Sequence, residues 1–149
     1  MECEVGWTSF EKYCYSFQSS TKSRDLAEND CTAKNAHLAS IHSKQENDFI
    51  MKLTNNKGVW IGGKKTGSSF QWLDGTPFDY KNWLKGEPNN YGGREYCLFF
   101  NWNRNNLGQW NDYTCEQKFP YLCKKALPGT SINVGNFFDI LCTLKQMNT

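Results

Sequence analysis

At 149 residues, with 38% hydrophobic and 21% charged side chains, the chain has the size of one domain that can bury a core. Its formal charge of +2 is small and its 17 basic residues are scattered along the sequence, which argues against a nucleic-acid partner. No window approaches the ~18 apolar residues of a membrane span, and "MECEVGWTSF" lacks the basic start and apolar run of a signal peptide, so a soluble chain without membrane insertion is expected.

Aromatic and β-favouring residues in "VGWTSFEKYCYSF" predict a hairpin that Cys3 and Cys14 could close. A helix is predicted next, from Ser23 to about Ala36, with Ala27 and Cys31 one turn apart on one face. In "SKQENDFIMKL" Ser43 and Glu46 form a capping-box signature, and Phe49, Ile50 and Leu53 follow at helical spacing, which predicts a second helix. From "GVWIGG" onward short apolar runs alternate with Gly, Asn and Asp: "VWIGG", "FQWLDG", "CLFF", "GQWND" and "PYLCK" read as brief strands. Between Asp74 and Glu95 strand character is weak, and a loop of that length in a small domain points to function. Beyond Cys123, "KKALPGTS" reads as a linker. The last stretch sets Val134, Phe137, Phe138, Leu141 and Leu144 at helical spacing, a short amphipathic tail that either docks on its own domain or joins two chains.

Seven cysteines with no C-x-x-C pair, and two histidines, His37 and His42, distant from most of them, argue against a zinc site and for disulfides. Disulfides in turn imply an oxidising setting, so the protein is expected to be secreted and extracellular. Seven is odd, and Cys142 is the isolated one, available for an inter-chain bridge in a homodimer. The segment "GEPNNYGGREYC", Gly86 to Cys97, carries Glu87, Glu95, Asn89 and Asn90 among turn-forming residues. On residue type alone it is either a solvated surface turn or a cation site.

These landmarks match a known family. "GWTSFEKYCY", "HLASIHSKQENDFI", "WIGG", "FQWLDG", "NW" at Asn82 and Trp83, "GEPN" at Gly86 to Asn89, "WND" at Trp110 to Asp112, and cysteines at 31, 97, 115 and 123 occur in an order that resembles a long-form C-type lectin domain. The resemblance covers Cys3 to Cys123 and implies an α+β fold, two helices flanking short antiparallel sheets, with a long calcium-binding loop region. It assigns residues 1–125 to a carbohydrate-recognition domain and leaves 126–149 as linker and tail. It also implies three intrachain disulfides, Cys3 with Cys14, Cys31 with Cys123, and Cys97 with Cys115.

In such domains Glu87, Asn89, Glu95, Asn111 and Asp112 would hold one calcium ion (Ca2+), and the Glu87–Pro88 peptide would be cis. The chemistry agrees, because calcium takes six to eight oxygen ligands and tolerates loop geometry. Two sugar hydroxyls would then bind the ion, each giving its proton to a carboxylate and accepting from an amide. The Glu-Pro-Asn order implies mannose, N-acetylglucosamine or fucose; Tyr91, two places after Asn89, keeps a galactose-type alternative open through stacking. A second calcium site is not expected, since Lys64 or Lys65, Asn90 and Tyr96 stand where acids would be needed. His37 and His42 are expected to pack or face solvent, Trp60, Trp72, Trp83 and Trp110 to lie in the core, and Trp102 to be exposed near the site. Carboxylates interleaved with amides fit ligation better than glycoside hydrolysis, and no Ser-His-Asp or Cys-His arrangement is evident, so no enzyme is expected. The partners are then glycans on glycoproteins or cells, with a lectin-like, protein-binding domain as the other possibility.

Overall fold

A computed structural model describes residues 2–103 and 108–129. The predicted tail from Val134 to Leu144, and Cys142 with its inter-chain bridge, lie outside the described residues.

Strand β1 (Thr8–Phe10) and strand β2 (Tyr13–Lys22) form the expected hairpin, turning at Glu11 with φ 53°. Helix α1 (Arg24–Ala33) starts at Ser23, whose side chain accepts from the Leu26 N–H at 3.5 Å, and buries Arg24, Ala27 and Cys31. It stops short of Ala36 because Asn35 adopts a left-handed φ of 58°, a conformation Asn tolerates at a helix end. Strand β3 (His37–Leu38) leads to helix α2 (Lys44–Leu53), where Ser43 Oγ accepts from Glu46 N–H at 3.0 Å. The second half of a capping box is missing: the buried Glu46 carboxylate accepts from His42 N–H at 2.7 Å, from Lys124 Nζ at 2.7 Å and from the Tyr15 hydroxyl. Its buried face is Glu46, Asn47, Ile50 and Met51, so Phe49 and Leu53 are rotated off it and only partly buried. Phe49 instead stacks on Phe10, ring centroids 4.6 Å apart.

The short runs become β4 (Val59–Thr66), β5 (Ser69–Trp72), β6 (Cys97–Phe100), β7 (Trp110–Tyr113) and β8 (Phe119–Ala126). They join one sheet in the order β1-β2-β8-β4-β6-β7, with β3 on β8 and β5 on β4. Most pairings are antiparallel, and β4 meets β8 in parallel where Trp60 faces Tyr121. Alternation along β6 and β7 sends Leu98, Phe100 and Trp110 to one core cluster and Cys97, Phe99 and Tyr113 to another. Trp60, Trp72 and Trp110 are buried; Trp83 is only partly so. The glycines of "WIGG" answer to close backbone packing: a Cβ on Gly62 would lie 2.4 Å from the Leu38 carbonyl oxygen, and one on Gly63 2.5 Å from Leu98 Cδ2.

Three disulfides among the described residues join Cys3 to Cys14, Cys31 to Cys123 and Cys97 to Cys115, the pairing that the resemblance implies. Such a bridge typically stabilises a small domain by about 2–4 kcal/mol. Cys31–Cys123 ties α1 to β8 across 92 residues, and Cys97–Cys115 ties the start of β6 to the segment just after β7.

Candidate functional site

The chain between β5 and β6 is held to the sheet through β7. Trp110 N–H donates to Asn82 O and Leu84 N–H to Trp110 O, both at 2.8 Å. The Asn82 amide donates to Gly108 O at 3.0 Å, and the Trp110 indole N–H to Asn47 Oδ1 at 2.9 Å, which fixes β7 against α2. From this anchor the loop turns back as Glu87 N–H donates to Leu84 O at 2.8 Å, and the Glu87–Pro88 peptide is cis.

This path brings Glu87 over the strand that carries Asn111 and Asp112, with Glu95 arriving just ahead of β6. One carboxylate oxygen from each of Glu87, Glu95 and Asp112 lies within 4.8 Å of the other two, the one such acidic group among the described residues. Asp112 is fully buried and Glu95 is 7% exposed. Backbone amides partly compensate the charge: Asp112 accepts from Asn89 N–H at 3.1 Å and Asn90 N–H at 2.7 Å, Glu87 from Asn89 N–H at 3.2 Å, and Glu95 from Tyr91 N–H at 3.0 Å. Burial, then the hydrogen bond and charge of Asp112, push the Glu87 carboxyl up to about 7 from its ordinary 4.5. Burial and Asp112 likewise raise Glu95.

Asn111 completes the group with an unmet demand. It is 5% exposed, its Nδ2 donates to Asp112 O at 3.0 Å, and its buried Oδ1 has no hydrogen-bond partner. A buried acceptor left without a donor is costly. The exposed Asn89 accepts from Tyr91 N–H through Oδ1 at 3.1 Å, so it stands at the rim. All five residues singled out from the sequence therefore belong to one neighbourhood. As an oxygen set, three carboxylates and two amides suit a hard divalent cation and supply no soft ligand.

Sequence reasoning missed the loop's brace. Asn90, read as a turn-loop amide and as a missing acid but not as a brace, takes a left-handed φ of 47° and accepts Glu95 N–H through Oδ1 at 3.2 Å, while Tyr96 OH donates to Gly93 O at 2.8 Å. An Asn at a turn is the signal that could have found it. Tyr91 is 80% exposed, on a backbone fixed by Asn89 and Glu95.

Trp102 is exposed, as expected, and packs on Tyr113 at 4.7 Å and Phe99 at 5.6 Å. The fold also aligns three residues in a way the sequence conceals: Ser40 Oγ is 3.1 Å from His42 Nε2, and His42 Nδ1 is 2.7 Å from Asp79 Oδ1. Ser40 is no nucleophile here, because it is fully buried and its hydroxyl donates to Asp74. His37 rests on Glu28 at 3.0 Å.

The family model for the Lectin C-type domain matches residues 20–125. A lectin of Pleurodeles waltl is 43% identical over 136 residues, which covers 85% of this chain and 78% of that protein. Ladderlectin of Oncorhynchus mykiss is 40% identical over 126 residues, but the chain spans only 65% of its length. Among solved structures, the cow carbohydrate-recognition domain of CD23, in the presence of a GlcNAc2Man3 oligosaccharide, aligns with a TM-score of 0.76 at 35% identity, covering 83% of this chain and 95% of that one. A calcium-independent type II antifreeze protein aligns with a TM-score of 0.77 at 34% identity, covering 83% and 94%. With a family model over most of the chain, a relative at 43% identity and a shared fold, this protein belongs to the C-type lectin domain family.

Proposed function

We propose that this domain binds carbohydrate in a calcium-dependent way, through one ion held by Glu87, Asn89, Glu95, Asn111 and Asp112, with mannose, N-acetylglucosamine or fucose at the end of the glycan as ligand. The observation that carries the reading is the convergence of three carboxylates, Glu87, Glu95 and Asp112, with Asn111, whose buried Oδ1 has no partner, next to Asp112 in sequence. A hard cation would satisfy the lone pair and relieve the repulsion at once. Bound calcium offers coordination positions to two neighbouring hydroxyls. The side chains do the sorting: Glu87 and Glu95 can accept hydrogen bonds from the hydroxyls, while Asn89 and Asn111 can donate to hydroxyl oxygens. Asn111 uses one Nδ2 hydrogen on Asp112 O and keeps the other. The role is binding, not catalysis, and the disulfides fit a secreted, extracellular protein.

The Glu87-Pro88-Asn89 order supports the mannose-type choice. One observation favours a second reading, galactose-type binding, because the exposed Tyr91 ring stands beside the acids, where it can stack on a sugar's apolar face. Similarity to a calcium-independent antifreeze protein supports the contrary case of a domain that needs no ion. Immobilised mannose and immobilised galactose, each with a calcium titration and an EDTA wash, separate the three. Retention on mannose that EDTA abolishes is expected. Retention on galactose that Tyr91→Ala weakens selects the second reading, and retention that survives exhaustive chelation refutes the mechanism.

A further inference from the structure

Next to the acidic loop lies a groove that the calcium reading leaves unused. Its volume is about 330 Å³, at the small end of ligand pockets, and Ser69, Phe70, Phe78, Lys81, Trp83 and Pro88 are among its walls. Pro88 is the link to the site, since its two neighbours in sequence are Glu87 and Asn89. The aromatic wall is rigid: Phe70 and Trp83 rings are 5.1 Å apart, Phe70 and Phe78 6.3 Å, and Phe78 and Trp83 each pack on the buried Trp110. All three are only partly buried, so they keep apolar surface toward the groove.

Lys81 gives the groove its sign. It is exposed and makes no ion pair or hydrogen bond with a described residue, whereas nearby Asp79 is engaged by His42 and Asp74 by Ser40 and Thr76. A cation with no internal partner beside aromatic faces and a serine hydroxyl fits a sugar ring that carries an anion: the ring's apolar face lies on the aromatics and the anion meets the ammonium.

Resting on the proposed calcium reading, we infer that this groove is a second subsite, which takes the residue next to the coordinated terminal sugar and selects an anionic substituent, a sulfate or a carboxylate, through Lys81. The test uses three disaccharides with a terminal mannose, followed by glucose, glucose 6-sulfate or glucuronic acid, titrated into the calcium-loaded protein. At least one of the two anionic disaccharides is expected to bind about tenfold more tightly than the neutral one, the range of one hydrogen bond to a charged group. Sulfate and carboxylate are told apart by which of the two arms shows the gain. In Lys81→Gln the ratio is expected to fall toward one, while Lys85→Gln, an exposed lysine four residues on, leaves it intact. Equal binding of all three sugars overturns the subsite, as does a gain that survives Lys81→Gln or is lost equally in Lys85→Gln. NMR keeps the two readings separable. At millimolar glucose 6-sulfate in EDTA, the Trp83 ring resonances are expected to shift even if no sugar binds through calcium, and unmoved Trp83 resonances overturn the subsite alone. Failure of neutral mannose to bind at saturating calcium overturns the calcium reading alone.

Discussion

Acidification should act on this domain with opposite signs in its two metal states, and Glu87 sets the scale. With its carboxyl pushed up to about 7, Glu87 in the calcium-free domain is about half protonated at pH 7, about nine-tenths at pH 6 and about one-tenth at pH 8. Calcium ligation requires the carboxylate, so binding must expel that proton. Through this group alone, calcium uptake should release about half a proton at pH 7 and about nine-tenths at pH 6, and apparent affinity should drop about tenfold between pH 8 and pH 6. Glu95, raised by burial and by Asp112, adds in the same direction. Without calcium the linkage reverses. A carboxyl whose folded value lies above its ordinary 4.5 binds protons more tightly when folded, so its contribution to stability is full below about 4.5 and is lost as the pH rises through about 7. The calcium-free domain should therefore melt at a higher temperature as pH falls from 8 to 6, while the calcium-loaded domain melts at a lower one. Isothermal titration in buffers of equal pH and different ionisation enthalpy counts the released protons, and Glu87→Gln should remove most of them. Calcium binding at pH 6 to 7 with no proton release would refute the reasoning.

Other perturbations test the frame and the site. Lys124→Met strands the Glu46 carboxylate, whose side chain is 6% exposed and whose Lys124 partner sits at 2.7 Å. Urea denaturation should show a loss of about 3–5 kcal/mol, partly recovered in Lys124→Met with Glu46→Leu, whereas a loss below about 1 kcal/mol would contradict the pair's isolation from water. Gly62→Ala drives a Cβ toward the Leu38 carbonyl oxygen and should cost about 1–3 kcal/mol in thermal unfolding. Asn111→Ala removes the unpartnered Oδ1 and should raise the half-saturating calcium concentration at least about tenfold, as read by calcium titration of the purified domain.

What the sequence carries and what it conceals divide along one physical line. Features set by neighbours within about four positions are legible: the Ser43 cap, the buried Ala27 and Cys31 face, and the short strands rich in Trp, Phe and Val. The five candidate ligands come from the family resemblance instead, because on residue type alone the Gly86 to Cys97 loop reads equally well as a solvated turn. Partners far away in sequence erase local signals. Glu46 accepts from His42 N–H instead of Ser43 N–H, and its other oxygen meets Lys124, 78 residues on, and the Tyr15 phenol. His42 finds Asp79 across 37 residues.

The acidic loop combines both kinds of information. Its side chains name the chemistry, but its shape comes from backbone amides that no sequence pattern displays. Asn89, Asn90 and Tyr91 N–H groups point at Asp112, Glu87 and Glu95, and Asn90 Oδ1 closes the turn on Glu95. Those donors hold three carboxylates together in the folded chain, and they leave Asn111 Oδ1 unmet. A turn built only to be solvated would have no reason to bring Glu87 and Glu95 within 4.8 Å of the buried Asp112. Under the proposed reading, a cation would meet both the crowded carboxylates and the acceptor without a donor.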